Sequence, residues 1–152
     1  MHGLKAITKT YIMLFLFDFA VESCDKSLFN QGNISTASTI MPANSNCTFQ
    51  LTASNPNQTI ALSIYQFISS SSSQQCTSKD DYIEIYDGEY AIADRLIARI
   101  CQAIDQNQFS AFMIASTTNM MTVIVVRRRN SGVAENTFQF RANFQSSSTS
   151  GN

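Results

Sequence analysis

The densest group of potentially reactive side chains lies in the stretch CTSKDDYIEIYDG, residues 76–88. It places four acids within eight positions: Asp80, Asp81, Glu84 and Asp87. Carboxylates so close together could ligate a hard cation such as calcium, or serve as the acid and base of a hydrolase. The alternative is a β-strand with charged ends, in which the two isoleucines point inwards and the residues around them outwards.

The histidine content argues against catalysis. The single histidine is His2, which lies in the N-terminal leader described below. Without it the chain has no histidine for a Ser-His-Asp or Cys-His mechanism. Paired carboxylates remain, as in glycosidases, but they are confined to one short stretch in a chain without tryptophan. We therefore expect a protein that is not an enzyme, with a small secreted hydrolase as the alternative.

A second charged group is the run of Arg127, Arg128 and Arg129, which follows the apolar stretch TVIVV. Three adjacent cations cannot all face a core, so we expect an exposed basic edge. Strand geometry would place Arg127 and Arg129 on one face and Arg128 on the other. Such an edge could bind a sulfated glycan or an acidic protein partner. The alternative is that it only discourages pairing between sheet edges.

The N-terminus has the layout of a secretory signal peptide over residues 1–23. Lys5 and Lys9 form the basic region, YIMLFLF is a short apolar run, and small residues precede the expected cleavage after Ser23. Cleavage after Ala20 is one alternative and an N-terminal membrane anchor is another. The apolar run is much shorter than the roughly 20 residues that span a bilayer. We therefore expect a secreted, extracellular protein.

The rest of the chain is long enough for one domain with a hydrophobic core, which we place at residues 24–145. The Ser-rich segment 146–152 has nothing to bury and is expected to be a disordered tail. The formal net charge of the chain is −1, and the leader carries as many acids as bases. This balance favours neither nucleic acid nor an anionic membrane as the partner, and no later stretch reads as a membrane span.

Four cysteines follow the leader: Cys24, Cys47, Cys76 and Cys101. An even number in a secreted chain indicates two disulfides, for which three pairings are open. Zinc is the alternative, but zinc sites use closely spaced cysteines, and no two here are closer than 23 positions.

Three N-x-Ser/Thr sequons also fit a secreted glycoprotein, at Asn33, Asn46 and Asn57. Asn46 is the least certain of them because it adjoins Cys47. We expect at least one of the three to carry a glycan.

Hydrophobic alternation predicts strands. TFQLTAS (48–54) and TIALSIYQF (59–67) are apolar at every second position, and five further segments share this pattern: DYIEIYDG, RLIARIC, FSAFMIAS, MMTVIVVRR and TFQFRANF. AIADRLIARI could form a helix, but its position before Cys101 favours a strand. Turn-type residues separate the segments, and SSSSSQQ is expected to be a surface loop. This pattern predicts an all-β protein, an antiparallel sandwich or jelly roll.

The order of cysteines and strands resembles a CUB domain over Cys24 to Phe144. Two cysteines lead into CTFQL and IALSIYQF, a third precedes DYIEIYDG, a fourth follows RLIARI, and the closing strands are MTVIVV and FQFRANF. The resemblance implies a two-sheet antiparallel β-sandwich of the jelly-roll type, with disulfides Cys24–Cys47 and Cys76–Cys101. It also implies an extracellular interaction module. The layout of one such domain after a leader is similar to the spermadhesins.

The resemblance also bears on calcium, which many CUB domains bind through three acidic positions. Asp81 occupies the second of these positions. The first falls near Ser70 and the third at Asn130 and Ser131, where this chain has no acid. Because calcium takes six to eight oxygen ligands, we expect no calcium site. The main prediction is a cofactor-free module that binds an extracellular protein or a sulfated glycan; a calcium-dependent adhesion protein is the alternative.

Overall fold

The structure is a computed structural model, and it describes residues 24–37, 41–69, 71, 74–105, 107, 112–128 and 138–148. These residues form nine β-strands: β1 Lys26–Phe29, β2 Gln31–Ala37, β3 Ser45–Thr52, β4 Gln58–Phe67, β5 Tyr82–Asp87, β6 Leu96–Ile100, β7 Phe112–Ala115, β8 Met120–Arg127 and β9 Gln139–Ser148. A 3-10 turn, Ala93–Arg95, precedes β6. The predicted signal peptide lies outside the described residues. No helix in the described ranges has the length and hydropathy needed to cross a membrane.

The strands form two sheets. The five-stranded sheet has the order β1-β3-β8-β5-β6, and the four-stranded sheet has the order β2-β9-β4-β7. The pairs are antiparallel, except that β1 runs parallel to β3. This two-sheet arrangement confirms the predicted all-β sandwich. The stretch considered as a helix becomes the 3-10 turn followed by a strand, as its position before Cys101 favours.

Alternation along the strands fills the space between the sheets. Inward-facing side chains from both sheets are almost completely buried: Phe49, Leu51, Ile60, Leu62, Ile64, Ile83, Ile85, Val123, Val125, Phe140 and Phe144. Burial of each such side chain contributes roughly 1.5–3 kcal/mol relative to exposure. The rings of Phe67 and Phe138 meet edge to face, with centroids 6.3 Å apart. The core is therefore shared between the two sheets, and each sheet keeps one face towards solvent.

Two disulfides close the structure. Cys24 pairs with Cys47 and Cys76 pairs with Cys101, with Cα–Cα distances of 5.3 and 5.5 Å. These are the pairings that the resemblance implies. The first bond holds the start of β1 against β3, and the second ties the segment before β5 to the end of β6. With both bonds formed, no cysteine thiol is left as a zinc ligand.

The C-terminal boundary differs from the prediction. Strand β9 extends to Ser148, and Ser146–Ser148 lie opposite Gln58–Ile60 of β4. The assignment of residues 146–148 to a disordered tail was therefore wrong. These serines have few apolar atoms to bury, but the neighbouring strand satisfies their backbone hydrogen-bonding groups. The Thr59 and Ser147 hydroxyl oxygens also lie 3.2 Å apart, within hydrogen-bonding distance.

Candidate interaction surface

The outer face of the five-stranded sheet carries the acids with which the sequence analysis began. On β5 the isoleucines Ile83 and Ile85 point inwards, with 0% exposure, so the residues between them point outwards. Pairing with β8 and β6 adds their outward residues to the same surface. We call this surface the five-stranded face, and its members on and beside these three strands are Tyr82, Glu84, Tyr86, Arg99, Thr122, Ile124, Val126 and Arg128.

Glu84 is the centre of a hydrogen-bonded group on this face. It lies opposite Arg99 across the β5–β6 pair. Its Oε1 accepts hydrogen bonds from Arg99 Nε, at 2.7 Å, and from Arg99 Nη2, while its Oε2 accepts one from the Tyr86 hydroxyl at 2.8 Å. Both carboxylate oxygens are therefore engaged, and Glu84 is only 8% exposed. This acid fixes neighbouring side chains, which is a structural role.

The same contacts shift the titration of the two partners. Burial, and then the hydrogen bond to Glu84, raise the pKa of Tyr86 to about 12. The hydrogen bond to Glu84 also raises the pKa of Arg99. At neutral pH the phenol therefore stays protonated as a donor and the guanidinium stays charged. The Arg99 side chain is 51% exposed, so its charge remains accessible from solvent.

Tyr82 lies between two guanidinium groups. The Cζ atoms of Arg99 and Arg128 are 5.3 and 5.2 Å from the centre of its ring. Arg128 Nη2 also donates a hydrogen bond of 3.2 Å to the Tyr82 hydroxyl. Contacts of a cation with an aromatic ring contribute about 0.5–1 kcal/mol at exposed sites. The ring and both cations are thus held in a defined arrangement on a partly exposed surface.

Asp81, the acid at the calcium-matching position, is buried beside the five-stranded face and holds the backbone of Arg128. It is 1% exposed, and its Oδ1 accepts a hydrogen bond of 2.6 Å from the backbone N–H of Arg128. That bond joins the start of β5 to the end of β8. In the described part of the chain no three His, Cys, Asp or Glu residues are grouped to hold a metal. Ser70, Asn130 and Ser131 lie outside that part, so the absence of a calcium site stays a prediction.

The two remaining acids of the stretch hold turns. Asp80 Oδ2 accepts a hydrogen bond of 2.6 Å from the backbone N–H of Thr77. The Asp87 carboxylate accepts hydrogen bonds from the backbone N–H and the hydroxyl of both Thr117 and Thr118. Burial acts to raise the pKa of Asp87, but these hydrogen bonds outweigh it, and the pKa is lowered. Gly88 follows with a φ of 105°, which the tight turn after β5 requires.

The prediction of an exposed basic edge was wrong for Arg127. This residue is 3% exposed, and its Nη1 donates a hydrogen bond to the Met41 carbonyl. Its guanidinium lies 5.3 Å from the centre of the Phe138 ring. The cause is the alternation of β8, since Arg127 continues the inward series of Val123 and Val125. Arg128 points to the five-stranded face, and Arg129 lies outside the described residues.

The three predicted glycosylation sites are all exposed in the structure. Asn33 lies on β2, Asn46 on β3, and Asn57 in the turn between β3 and β4. Exposure is compatible with modification, so glycosylation stays a prediction at each position.

Sequence reasoning did not single out Arg99 or Tyr82 as site residues. Alternation within DYIEIYDG indicates that Tyr82 and Glu84 share a face, and this signal was available. The contact with Arg99 depends on the pairing register of two strands, which alternation within one strand does not contain.

Comparison with known proteins supports the same fold. The chain matches the sequence model of the CUB domain over residues 24–144. It is similar to the solved CUB1-EGF-CUB2 domains of rat MASP-1, with 18% identity and a TM-score of 0.57, covering 81% of this chain and 42% of that one. It is also similar to the MASP-1 CUB2 domain bound to Ca2+, with 17% identity and a TM-score of 0.53, covering 80% and 99%.

A third similar structure is the full extracellular region of zebrafish Gpr126/Adgrg6, with 12% identity and a TM-score of 0.52, covering 84% of this chain and 15% of that one. At these identities the likeness shows the fold alone, and the chain spans less than half of the rat protein's solved domains. No curated protein sequence matches the chain. Because the family match covers most of its length, this chain belongs to the CUB domain family, whose fold is an extracellular protein-interaction module.

Proposed function

We propose that this protein is a secreted, non-catalytic binding module that docks an acidic extracellular protein on its five-stranded face. The observation that carries the proposal is the Tyr82 ring flanked by Arg99 and Arg128, both within 5.3 Å of its centre. Tyr and Arg are enriched among the residues that dominate protein–protein binding energy. The aliphatic side chains of Ile124 and Val126 lie beside them and would supply apolar contact area.

The contacts within the face prepare it for binding. Arg99 uses Nε and Nη2 on Glu84, so these bonds leave Nη1 for a partner, and half of the side chain is exposed. A carboxylate on the docking protein would accept hydrogen bonds from this nitrogen. Ordering a flexible side chain at an interface costs about 0.5–1.5 kcal/mol, and the existing ion pair and ring contacts reduce that cost here.

The charge distribution favours a protein partner over a sulfated glycan. A sulfated polymer is attracted by a run of uncompensated cations, because its affinity comes mainly from summed charge. In this chain Arg127 is buried and Arg99 is paired with Glu84, so the described part of the face offers separate cations among aromatic and aliphatic groups. That mixture is typical of the centre of a protein interface.

Binding measurements on the mature protein test this proposal. Residues 24–152 would be immobilised and exposed to a panel of extracellular domains with acidic surfaces, once with calcium and once with a chelator. We expect calcium-independent binding that weakens at least tenfold in Tyr82→Ala and in Arg128→Ala. The matched control is Arg141→Ala, which removes an exposed arginine of β9 on the other sheet and should leave the affinity unchanged.

Two results would contradict the proposal. Equal loss of binding in Arg141→Ala would mean that net charge, rather than this face, attracts the partner. A second test uses a heparin column at low salt, where exposed charges are least screened. If heparin retains the wild type strongly and Arg128→Ala weakly, while no acidic protein binds, a sulfated glycan is the partner class.

A further inference from the structure

The edges of the two sheets are protected unequally. An edge strand exposes unpaired backbone groups and can pair with another chain unless it is short, charged, bulged or covered. In the described structure β1 and β7 are edge strands of four residues each, and β6 is an edge strand of five. Strand β1 begins with Lys26, and β6 carries Arg99 and an irregular register opposite Ile85 and Tyr86. Each of these three edges has at least one common form of protection.

Among the described residues, strand β2 is the one edge strand that is neither short, charged nor bulged. It is seven residues long, and its sequence, QGNISTA, contains no charged residue and no proline. It pairs with β9 at seven consecutive positions without a bulge. Within the described residues no strand pairs with its other side. A long, regular and uncharged edge of this kind is a template for strand addition by a second copy of the chain.

The sequon Asn33-Ile34-Ser35 lies in the middle of this edge. Ile34 is 1% exposed and faces the core, so Asn33 and Ser35 project outwards, and both are exposed. Asn33 lies opposite Asn143 of β9, on the outer side of the four-stranded sheet. An enzyme of the secretory pathway could reach both side chains that define the sequon.

We propose that Asn33 carries an N-linked glycan whose role is to keep β2 from pairing with another chain. In the modification the Asn33 amide nitrogen loses a proton and bonds to the anomeric carbon of an oligosaccharide. The bond between that carbon and a lipid pyrophosphate donor breaks, and the lipid pyrophosphate leaves. A branched, hydrated sugar attached at the centre of this seven-residue strand extends from the outer side of the sheet beside its free edge, where its bulk would hinder the approach of an incoming strand.

The other two sequons do not combine these features. Asn46 lies on β3, which has a neighbouring strand on both sides, and Asn57 lies in a turn. A glycan at either position leaves the free side of β2 open. The proposal is therefore specific to Asn33, and it does not depend on which partner binds the five-stranded face.

Two substitutions of one residue test the proposal in the full chain secreted from eukaryotic cells. Ser35→Ala and Ser35→Glu both abolish the sequon, but Ser35→Glu also places a charge on the edge, opposite Arg141. We expect wild type to carry a glycan on the Asn33 peptide and to be monomeric in light scattering. Ser35→Ala should form concentration-dependent dimers or larger species, whereas Ser35→Glu should remain monomeric. Asn57→Gln, the control for glycan loss elsewhere, should also remain monomeric.

A second measurement avoids any effect of substitution on folding. An endoglycosidase that leaves only the first sugar would be applied to folded wild-type protein, and we expect self-association to follow. An unmodified Asn33 peptide in the wild type would overturn the proposal. So would a Ser35→Ala protein that stays monomeric at every concentration, or equal association of Ser35→Ala and Ser35→Glu.

Discussion

The outer side of the four-stranded sheet carries mainly small or uncharged side chains, whereas the five-stranded face carries tyrosine, arginine and glutamate in mutual contact. Outward positions on β2, β9, β4 and β7 include Asn33, Ser35, Ala61, Ser63, Asn143 and Gln145, with Arg141 as a charged member and Met113, 72% exposed, as an apolar one. On the five-stranded face one carboxylate joins Arg99 to Tyr86, and one ring contacts two guanidiniums. Both sheets are built on the same inward pattern of aliphatic and aromatic residues.

The difference indicates what each face is suited to do. Short polar side chains interact mainly with water and can be replaced with little effect on the fold. Contacts that hold large side chains in one arrangement are unnecessary for solubility, but they prepare a surface for a partner. Substitutions matched between the faces should therefore have unequal effects on stability.

The largest expected effect separates two neighbouring arginines. Replacement of Arg127 by Ala removes a buried cation and leaves the Met41 carbonyl without this donor, which should lower the free energy of unfolding by about 3 kcal/mol. Arg128→Ala removes partly exposed contacts with Tyr82 and should cost less than about 1 kcal/mol. Urea denaturation of both variants measures the difference. Equal costs would mean that Arg127 does not lie inside the sandwich.

The second prediction compares the faces directly. Glu84→Ala removes the acceptor shared by Arg99 and Tyr86, and hydrogen bonds to a charged group are worth about 1.5–3 kcal/mol. We expect a loss of about 2 kcal/mol in the same denaturation experiment. Asn143→Ala, at an exposed position of the four-stranded sheet, should change stability by less than about 0.5 kcal/mol. Similar losses of unfolding free energy in Glu84→Ala and Asn143→Ala would mean that the two faces do not differ in how their side chains support stability.

The third prediction concerns the acid that holds the loop before β8. Asp87→Asn weakens hydrogen bonds from Thr117 and Thr118 and should cost about 1.5 kcal/mol at pH 7. The folded pKa of Asp87 is lowered from 3.8, so its stabilisation is present above that pH and is lost as pH falls through the folded value. The difference in the free energy of unfolding between wild type and Asp87→Asn should therefore become smaller in acid. A difference in the free energy of unfolding that stays constant between pH 7 and pH 2 would contradict the role of the Asp87 carboxylate in holding this loop.

The smallest expected effect is that of calcium. Because acids are missing from two of the three family positions, millimolar calcium should leave Tm unchanged. An ion that bound only the native state would add about 2.7 kcal/mol at a hundredfold excess over its Kd. Thermal melts with calcium and with a chelator provide the measurement. A rise in Tm that disappears in Asp81→Ala would contradict this prediction and would show that the ion binds through Asp81.

The sequence predicted those parts of the fold that depend on local alternation. Seven of the nine strands in the described residues carry apolar residues at every second position, and the resemblance to CUB domains implied both disulfide pairings. Strand β2 was missed because QGNISTA has one large aliphatic residue, and its pairing with β9 comes from a distant part of the chain. The end of β9 was missed for the same reason, since serines form strand there only because β4 lies beside them.

The site was less predictable than the fold. The inward position of Arg127 followed from the alternation of Val123 and Val125, but a buried arginine is rare enough that the run of three was interpreted as exposed. The pairing of Glu84 with Arg99 required the register between β5 and β6, which two short strands joined by a 3-10 turn do not specify. Side-chain contacts between strands are the information that a single sequence lacks.

The position of β9 has a consequence for how the protein is made. This strand, the last of the described ones, lies between β2 and β4. The four-stranded sheet therefore cannot join β2 to β4 until residues 139–148 are synthesised. Both disulfides join cysteines that precede it by more than 30 residues, and they can therefore form while the sheet is still incomplete. Contacts so distant in sequence slow folding. During this interval the inward faces of β2 and β4 are exposed to the chaperones of the compartment in which the chain folds.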